Sequence, residues 1–260
     1  MRAFVSVFCF LMLVAGSVRA EVVLEPVEYQ DGETVLQGFI AYDDAAAEKR
    51  PGVLVVHEWT GVGDYVKERA RMLAELGYVA FVGDIYGKDV TIENTSEAAE
   101  WSSKFKNDRE LFRQRVNLGL DQLKRSERVD ASKTAAIGYC FGGTAVLELA
   151  RSGAKVGGVV SFHGGLGSPT PEDAKNIRGR VLVCHGADDP HVPQKELLDF
   201  EEEMRGGDVD YVVIKYGDAV HSFTNPARKG PKSTGAMYNE KADKRSWEHM
   251  KQFLNEVFGE

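Results

Sequence analysis

Short continuous apolar runs recur along the chain, separated by stretches in which apolar positions return every three or four residues. The runs are Val53-Leu54-Val55-Val56-His57, Tyr78-Val79-Ala80-Phe81-Val82, Thr134 to Cys140, Val156 to His163, Val181 to His185 and Tyr211 to Ile214. Runs of this kind suit strands buried on both faces. Between them, helical spacing predicts helices over 64–76, 96–126 with a break near Asn107-Asp108, 142–151, 194–205 and 242–258. Asp64 is placed to cap the first of these, and Trp247, Met250, Phe253, Leu254 and Val257 give the last an apolar stripe. Ahead of the alternation, loosely alternating residues from Glu21 to Ala41 around Asp31-Gly32 predict a hairpin. A hairpin followed by strict strand–helix alternation predicts an α/β fold, a mostly parallel central sheet with helices on both faces. Nothing divides the stretch 21–260, so one domain is expected.

The sharpest local signal is Gly138-Tyr139-Cys140-Phe141-Gly142-Gly143, where a predicted strand gives way at once to a helical pattern. A G-x-C-x-G turn resembles the nucleophile elbow of α/β-hydrolases, with sulfur in place of the usual serine oxygen. Glycine is required on both sides because the two backbones approach too closely for a Cβ. The cysteine between them is pushed out at the top of the sheet, where the positive end of the next helix dipole favours thiolate.

Composition changes this picture little. The 260 residues carry a formal charge of −8 and no basic block, so the electrostatic footprint of nucleic-acid binding is lacking. The first twenty residues differ from the rest: Arg2, an apolar run to Val14, then Val18-Arg19-Ala20. They predict a signal peptide over 1–20 cleaved after Ala20, and hence an exported protein, periplasmic or secreted, with no membrane span once the signal is removed. A retained anchor is the competing reading, weakened by the shortness of the apolar run. Cleavage would remove Cys9 and leave Cys140 and Cys184. Cys184 lies inside an apolar strand and reads as a core residue.

In open parallel sheets, ligands bind at the carboxyl ends of the strands. His57-Glu58, Asp84, Cys140, His163, His185, Asp188-Asp189 and His221 all fall there. Cys140 is the candidate nucleophile, His221 the base and Asp189 the acid that orients it, in the chain order that α/β-hydrolases use. Asp188 competes with Asp189, and the spacing to Val192-Pro193 favours Asp189. His163 and His185 read as packed, hydrogen-bonded residues lining the site.

Taken together, His57-Glu58-Trp59, Gly83-Asp84-Ile85-Tyr86, Gly138 to Gly143, Gly186-x-x-Asp189-x-x-Val192-Pro193 and His221-Ser222-Phe223 resemble the dienelactone hydrolase family from Glu25 to the last helix. The resemblance implies an α/β-hydrolase fold and a Cys140-Asp189-His221 triad. It further implies an auxiliary carboxylate at Glu58 near the thiol, and an oxyanion hole from the backbone N–H groups of Trp59 and Phe141. The type enzyme holds its substrate carboxylate with two arginines. The matching positions here are Lys88, kept as the substrate-binding cation, and Asn225, which brings no charge.

The expected activity is therefore hydrolysis of a small-molecule carboxylic ester or lactone through a thioester. No cofactor is expected, since no dinucleotide fingerprint is present, and no metal, since no H-E-x-x-H or similar ligand spacing occurs. Two other classes stay open: a non-catalytic small-molecule-binding protein on the same scaffold, and a redox protein using Cys140 and Cys184.

Overall fold

The computed structural model describes residues 21–259. The signal expected over 1–20 lies outside the described residues.

The hairpin forms as its turn chemistry demands. Strand β1 (Val22–Asp31) pairs antiparallel with β2 (Thr34–Asp43), and Gly32 takes φ +58° between them, a conformation that suits a residue without Cβ. Strand β2 then pairs antiparallel with β4 (Val79–Gly83). All further pairings are parallel, through β3 (Arg50–Val56), β5 (Val129–Tyr139), β6 (Gly158–Phe162), β7 (Arg180–Gly186) and β8 (Tyr211–Tyr216). The single eight-stranded sheet runs β1-β2-β4-β3-β5-β6-β7-β8.

Both faces of the central strands are buried, which explains their unbroken apolar runs. Val53, Val55, Ala135, Ile137, Val160 and Leu182 face one layer, with α1 (Asp64–Glu75) and α6 (Glu240–Phe258). Leu54, Val56, Ala136, Val159 and Val183 face the other. There they meet α3 (Arg109–Arg125), α4 (Phe141–Arg151) and α5 (Gln194–Gly206). The remaining helix, α2 (Thr95–Asn107), packs beside α3. The predicted break between α2 and α3 falls at Asp108, whose side chain accepts the Leu111 N–H at 3.0 Å and starts a new helix.

Two details depart from the sequence expectations, at the start of α1 and at the start of β5. The cap of α1 is Gly63, in extended backbone and without a side-chain bond; Asp64 is the first helical residue, where its charge suits the positive helix end. Strand β5 begins at Val129 rather than Thr134, and a register shift at Pro51/Gly52 accommodates the extra residues. The connection 164–179 contains a short 3-10 helix at Pro171–Asn176.

The chain leaves β3 toward β4 on one side and returns to β5 on the other. Segments following β3 and β5 therefore diverge at one crevice, the usual place for a ligand in such sheets. Among the described residues, no helix is long and apolar enough to cross a membrane.

Candidate active site

Cys140 sits between β5 and α4 at φ 55°, ψ −113°, a strained conformation for a residue with a Cβ. The flanking glycines are needed for the reason read from the sequence. A Cβ on Gly138 would lie 2.0 Å from the Gly142 carbonyl oxygen, and one on Gly142 would lie 2.2 Å from that of Val56. Close contact of β5, α4 and β3 thus holds the cysteine up. Phe141 is the first residue of α4, so its N–H has no carbonyl one turn back to bond.

His221 reaches this turn from the irregular connection after β8. Its Nε2 is 3.1 Å from Cys140 Sγ, and its Nδ1 is 2.8 Å from Asp189 Oδ2. The second Asp189 oxygen accepts the His191 N–H at 2.8 Å. Asp188, the competing acid, is exposed and pairs with Lys232 at 2.6 Å, so Asp189 is the carboxylate that meets the imidazole. Burial works against a charge on His221. The negative charge of Cys140 and the bonds to Asp189 and Cys140 outweigh it, lifting the imidazole from 6.5 to about 10. Burial likewise opposes ionisation of Asp189, yet the His221 hydrogen bond and charge hold its carboxyl below the usual range.

His57 orients the Glu58-Trp59 segment. Its Nδ1 donates to the Glu58 carbonyl oxygen at 2.6 Å, its Nε2 accepts the Ile85 N–H at 3.2 Å, and its ring stacks on Phe141. The Tyr86 hydroxyl donates to the Trp59 carbonyl oxygen at 3.0 Å. Trp59 and Phe141 are therefore fixed from a shared aromatic cluster.

Glu58 is buried, but its carboxylate does not bond the thiol. It accepts from Asn225 Nδ2 at 2.6 Å and Ser222 Oγ at 3.4 Å, with Arg228 at 3.9 Å. Asn225, which holds no charge, thus serves the carboxylate. Lys88 pairs with Glu28 at 2.5 Å on the surface and is not among the residues that line the cleft. Its backbone is drawn to the hairpin by a bond from its N–H to the Val35 oxygen, which turns the side chain toward β1.

The cleft above Cys140 encloses about 450 Å³ and is walled by Trp59, Cys140, Gly165, Val192 and His221, with α2 contributing Ala99, Ser102, Ser103 and Lys106. Apart from the Cys140–His221 pair, its charged lining residues are Lys106 and Arg228, without a carboxylate. Sequence reasoning missed both cations. Their neighbours carry no motif, and only the path of α2 and of the loop after His221 brings them to the cleft.

His163 and His185 lie behind the cleft rather than lining it. Burial pushes both below the ordinary histidine value. The two described cysteines are free. Cys184 is buried in β7 beside the Tyr216 hydroxyl, and burial raises its thiol to about 12. A redox pairing with Cys140 has no support in this arrangement. No group of His, Cys, Asp and Glu among the described residues could hold a metal ion.

A mostly parallel sheet with a strained strand-to-helix turn, and with cysteine, histidine and aspartate meeting at its carboxyl edge, defines an α/β-hydrolase. The chain belongs to the Dienelactone hydrolase family, whose profile matches residues 36–258, and it is a hydrolase. Among solved structures it is similar to m3DLH, with 42% identity over 91% of this chain and 99% of that one, at a TM-score of 0.88. It is also similar to a dienelactone hydrolase-like promiscuous phosphotriesterase, P91, from metagenomic libraries. That match has 40% identity over 92% of this chain and 100% of the other, with a TM-score of 0.87. A relative from Aquifex aeolicus, named "Putative carboxymethylenebutenolidase", is 27% identical over 233 residues, covering 85% of this chain and 94% of that one.

Proposed function

We propose that the protein cleaves carboxylic esters or lactones with Cys140 as nucleophile, His221 as proton carrier and Asp189 as the group that orients it. The observation that carries this reading is the line Sγ–Nε2–Nδ1–Oδ2, with separations of 3.1 and 2.8 Å, at a strained turn facing the cleft. Sulfur attacks the carbonyl carbon while the Trp59 and Phe141 amides receive the developing oxyanion, each worth roughly 3 kcal/mol of barrier. Collapse expels the alkoxide, which takes the proton from His221. In a lactone the alcohol stays on the acyl chain. Water then gives a proton to His221, attacks the thioester and releases the acid and the thiolate. Good leaving groups such as enol esters suit this nucleophile, because sulfur would be expelled in preference to a poor one.

Arg228 and Lys106, rather than Lys88, are the cations that orient an anionic part of the substrate. Glu58 holds Asn225 and approaches Arg228, and acts through them rather than as a base on the thiol. Phosphotriester cleavage, the activity for which P91 is described as promiscuous, is a second reading favoured by the 40% identity to that protein.

The test is whole-protein mass after a low excess of iodoacetamide, beside hydrolysis of p-nitrophenyl acetate and an aryl dialkyl phosphate. Single-site labelling at Cys140 that removes esterase activity in step is expected, as is loss of turnover in a folded Cys140→Ala variant. Turnover persisting in that variant overturns the reading. Phosphate-ester release that also requires Cys140 establishes the second activity.

A further inference from the structure

We propose that His163 is a positioning residue, whose neutral ring ties the nucleophile turn to the loop carrying His221 and sets the distance between sulfur and imidazole. The inference rests on the reading of Cys140 as nucleophile.

His163 follows β6 and is buried at 1% exposure, at φ 40°. Five residues other than glycine take positive φ among the described residues, and three of them, Cys140, His163 and Ser222, stand at this site. Strain gathered this way persists only where surrounding contacts enforce it. The Cys140 N–H is shared between the Phe162 oxygen at 3.0 Å and His163 Nδ1 at 3.2 Å. Accepting at Nδ1 places the ring proton on Nε2, which is 2.7 Å from Thr224 Oγ1 and donates to it. Thr224 lies three residues beyond His221. One imidazole therefore holds the backbone of the nucleophile with one edge and the loop of the base with the other.

The far side of Thr224 is anchored as well. Its hydroxyl is 2.6 Å from that of Tyr65, and its carbonyl oxygen accepts from Arg69 at 2.6 Å. Arg69 is ion-paired with Asp243 of α6 at 2.5 Å. The His163 ring also packs edge-on against His221 and Phe223, both at 5.2 Å. The groups facing it are Tyr139 and Cys140 from the end of β5, His221, Thr224 and Arg228 from the loop, and Tyr65 and Arg69 from α1. Burial, then the charges of His221, Arg69 and Arg228, keep the ring far below the usual histidine value. It stays uncharged, leaving Nδ1 able to accept. An apolar side chain of similar volume would fill the space but make neither bond.

The test compares His163→Asn, Thr224→Val and the double variant, each checked for folding by thermal melting, with Cys140→Ala alongside. Asparagine can still accept the Cys140 N–H but falls short of Thr224, and valine removes the other end of the tie. Each single change is expected to lower kcat about tenfold or more with KM within about twofold, the signature of misplaced reacting groups. The double variant should lose no more than the worse single one, because both break one tie. Unchanged kcat in the folded single variants, or losses that multiply in the double, overturns the proposal. If His163→Asn does not fold, Thr224→Val carries the test on kcat alone, and an unchanged kcat in it overturns the proposal. Activity surviving in Cys140→Ala would defeat the nucleophile reading instead, so the two failures are distinguishable.

Discussion

Cys140 is held mainly by backbone packed on backbone, whereas the loop that carries His221 is held by hydrogen bonds, several of them from side chains that reach into it. At the turn, strand β5, helix α4 and the end of β3 meet so closely that only hydrogen fits at 138 and 142. The loop from 218 to 239 has little regular structure: a short 3-10 turn at Lys232–Thr234 and one bridge between His221 and Ala236. Backbone bonds from His221 to Gly235 and Met237, together with polar side-chain ties, secure it instead. Arg69 grips Thr224 and Asp243, Asn239 bonds the Asp218 oxygen, and Lys232 joins Asp188 to Asp218. Steric fixing allows almost no adjustment, while a set of hydrogen bonds can be weakened one at a time.

Gly142→Ala strikes the sterically fixed region most severely. Its new Cβ meets the Val56 carbonyl carbon and oxygen and the His57 oxygen, all backbone atoms that cannot turn aside. Stability is expected to fall by more than about 4 kcal/mol, read by urea unfolding, with turnover lost. The corresponding blow to the loop is Arg69→Met, which leaves the buried Asp243 carboxylate without its ion-pair partner and frees the Thr224 oxygen. A loss of about 3 kcal/mol is expected, with iodoacetamide still reaching Cys140 because the turn itself is untouched. Equal loss of Cys140 labelling in both variants would show that the turn depends on the loop for its own shape, and not only for its distance from His221. The smallest effect joins them. Removing the sulfur in Cys140→Ala takes away the negative charge that favours the His221 proton, while burial, which disfavours it, stays. The imidazole should then titrate below the value of about 10 that it has beside Cys140, measured by NMR of the ring protons. An unmoved titration would mean that Asp189 alone sets it.

The same contrast explains what could be read from the sequence. Gly138, Cys140 and Gly142 announce the turn because steric necessity leaves residue types as its trace. The alternation of strands and helices was equally legible, since burial on both sheet faces requires unbroken apolar runs. The loop gave up only His221, placed by chain order. That Asn225 would serve Glu58, that Lys88 would turn to Glu28, and that Arg228 and Lys106 would face the cleft depend on side chains meeting across 30 to 170 positions of sequence. Many residue types can make such bonds, so the sequence pattern does not mark them. His163 looked like packing because its two bonds, to the Cys140 N–H and the Thr224 hydroxyl, leave no local signature.

One wall of the cleft stands apart from both regions. Ala99, Ser102, Ser103 and Lys106 come from α2, which lies outside the sheet and is bounded by its own caps at Asn94 and Asp108. Replacing a small side chain on that face reshapes the space offered to a substrate without disturbing β5, α4 or the ties to Thr224. Selection on this helix could therefore change which substrates the hydrolase prefers while leaving the arrangement around Cys140 intact, which makes α2 the natural segment to randomise when retargeting the enzyme.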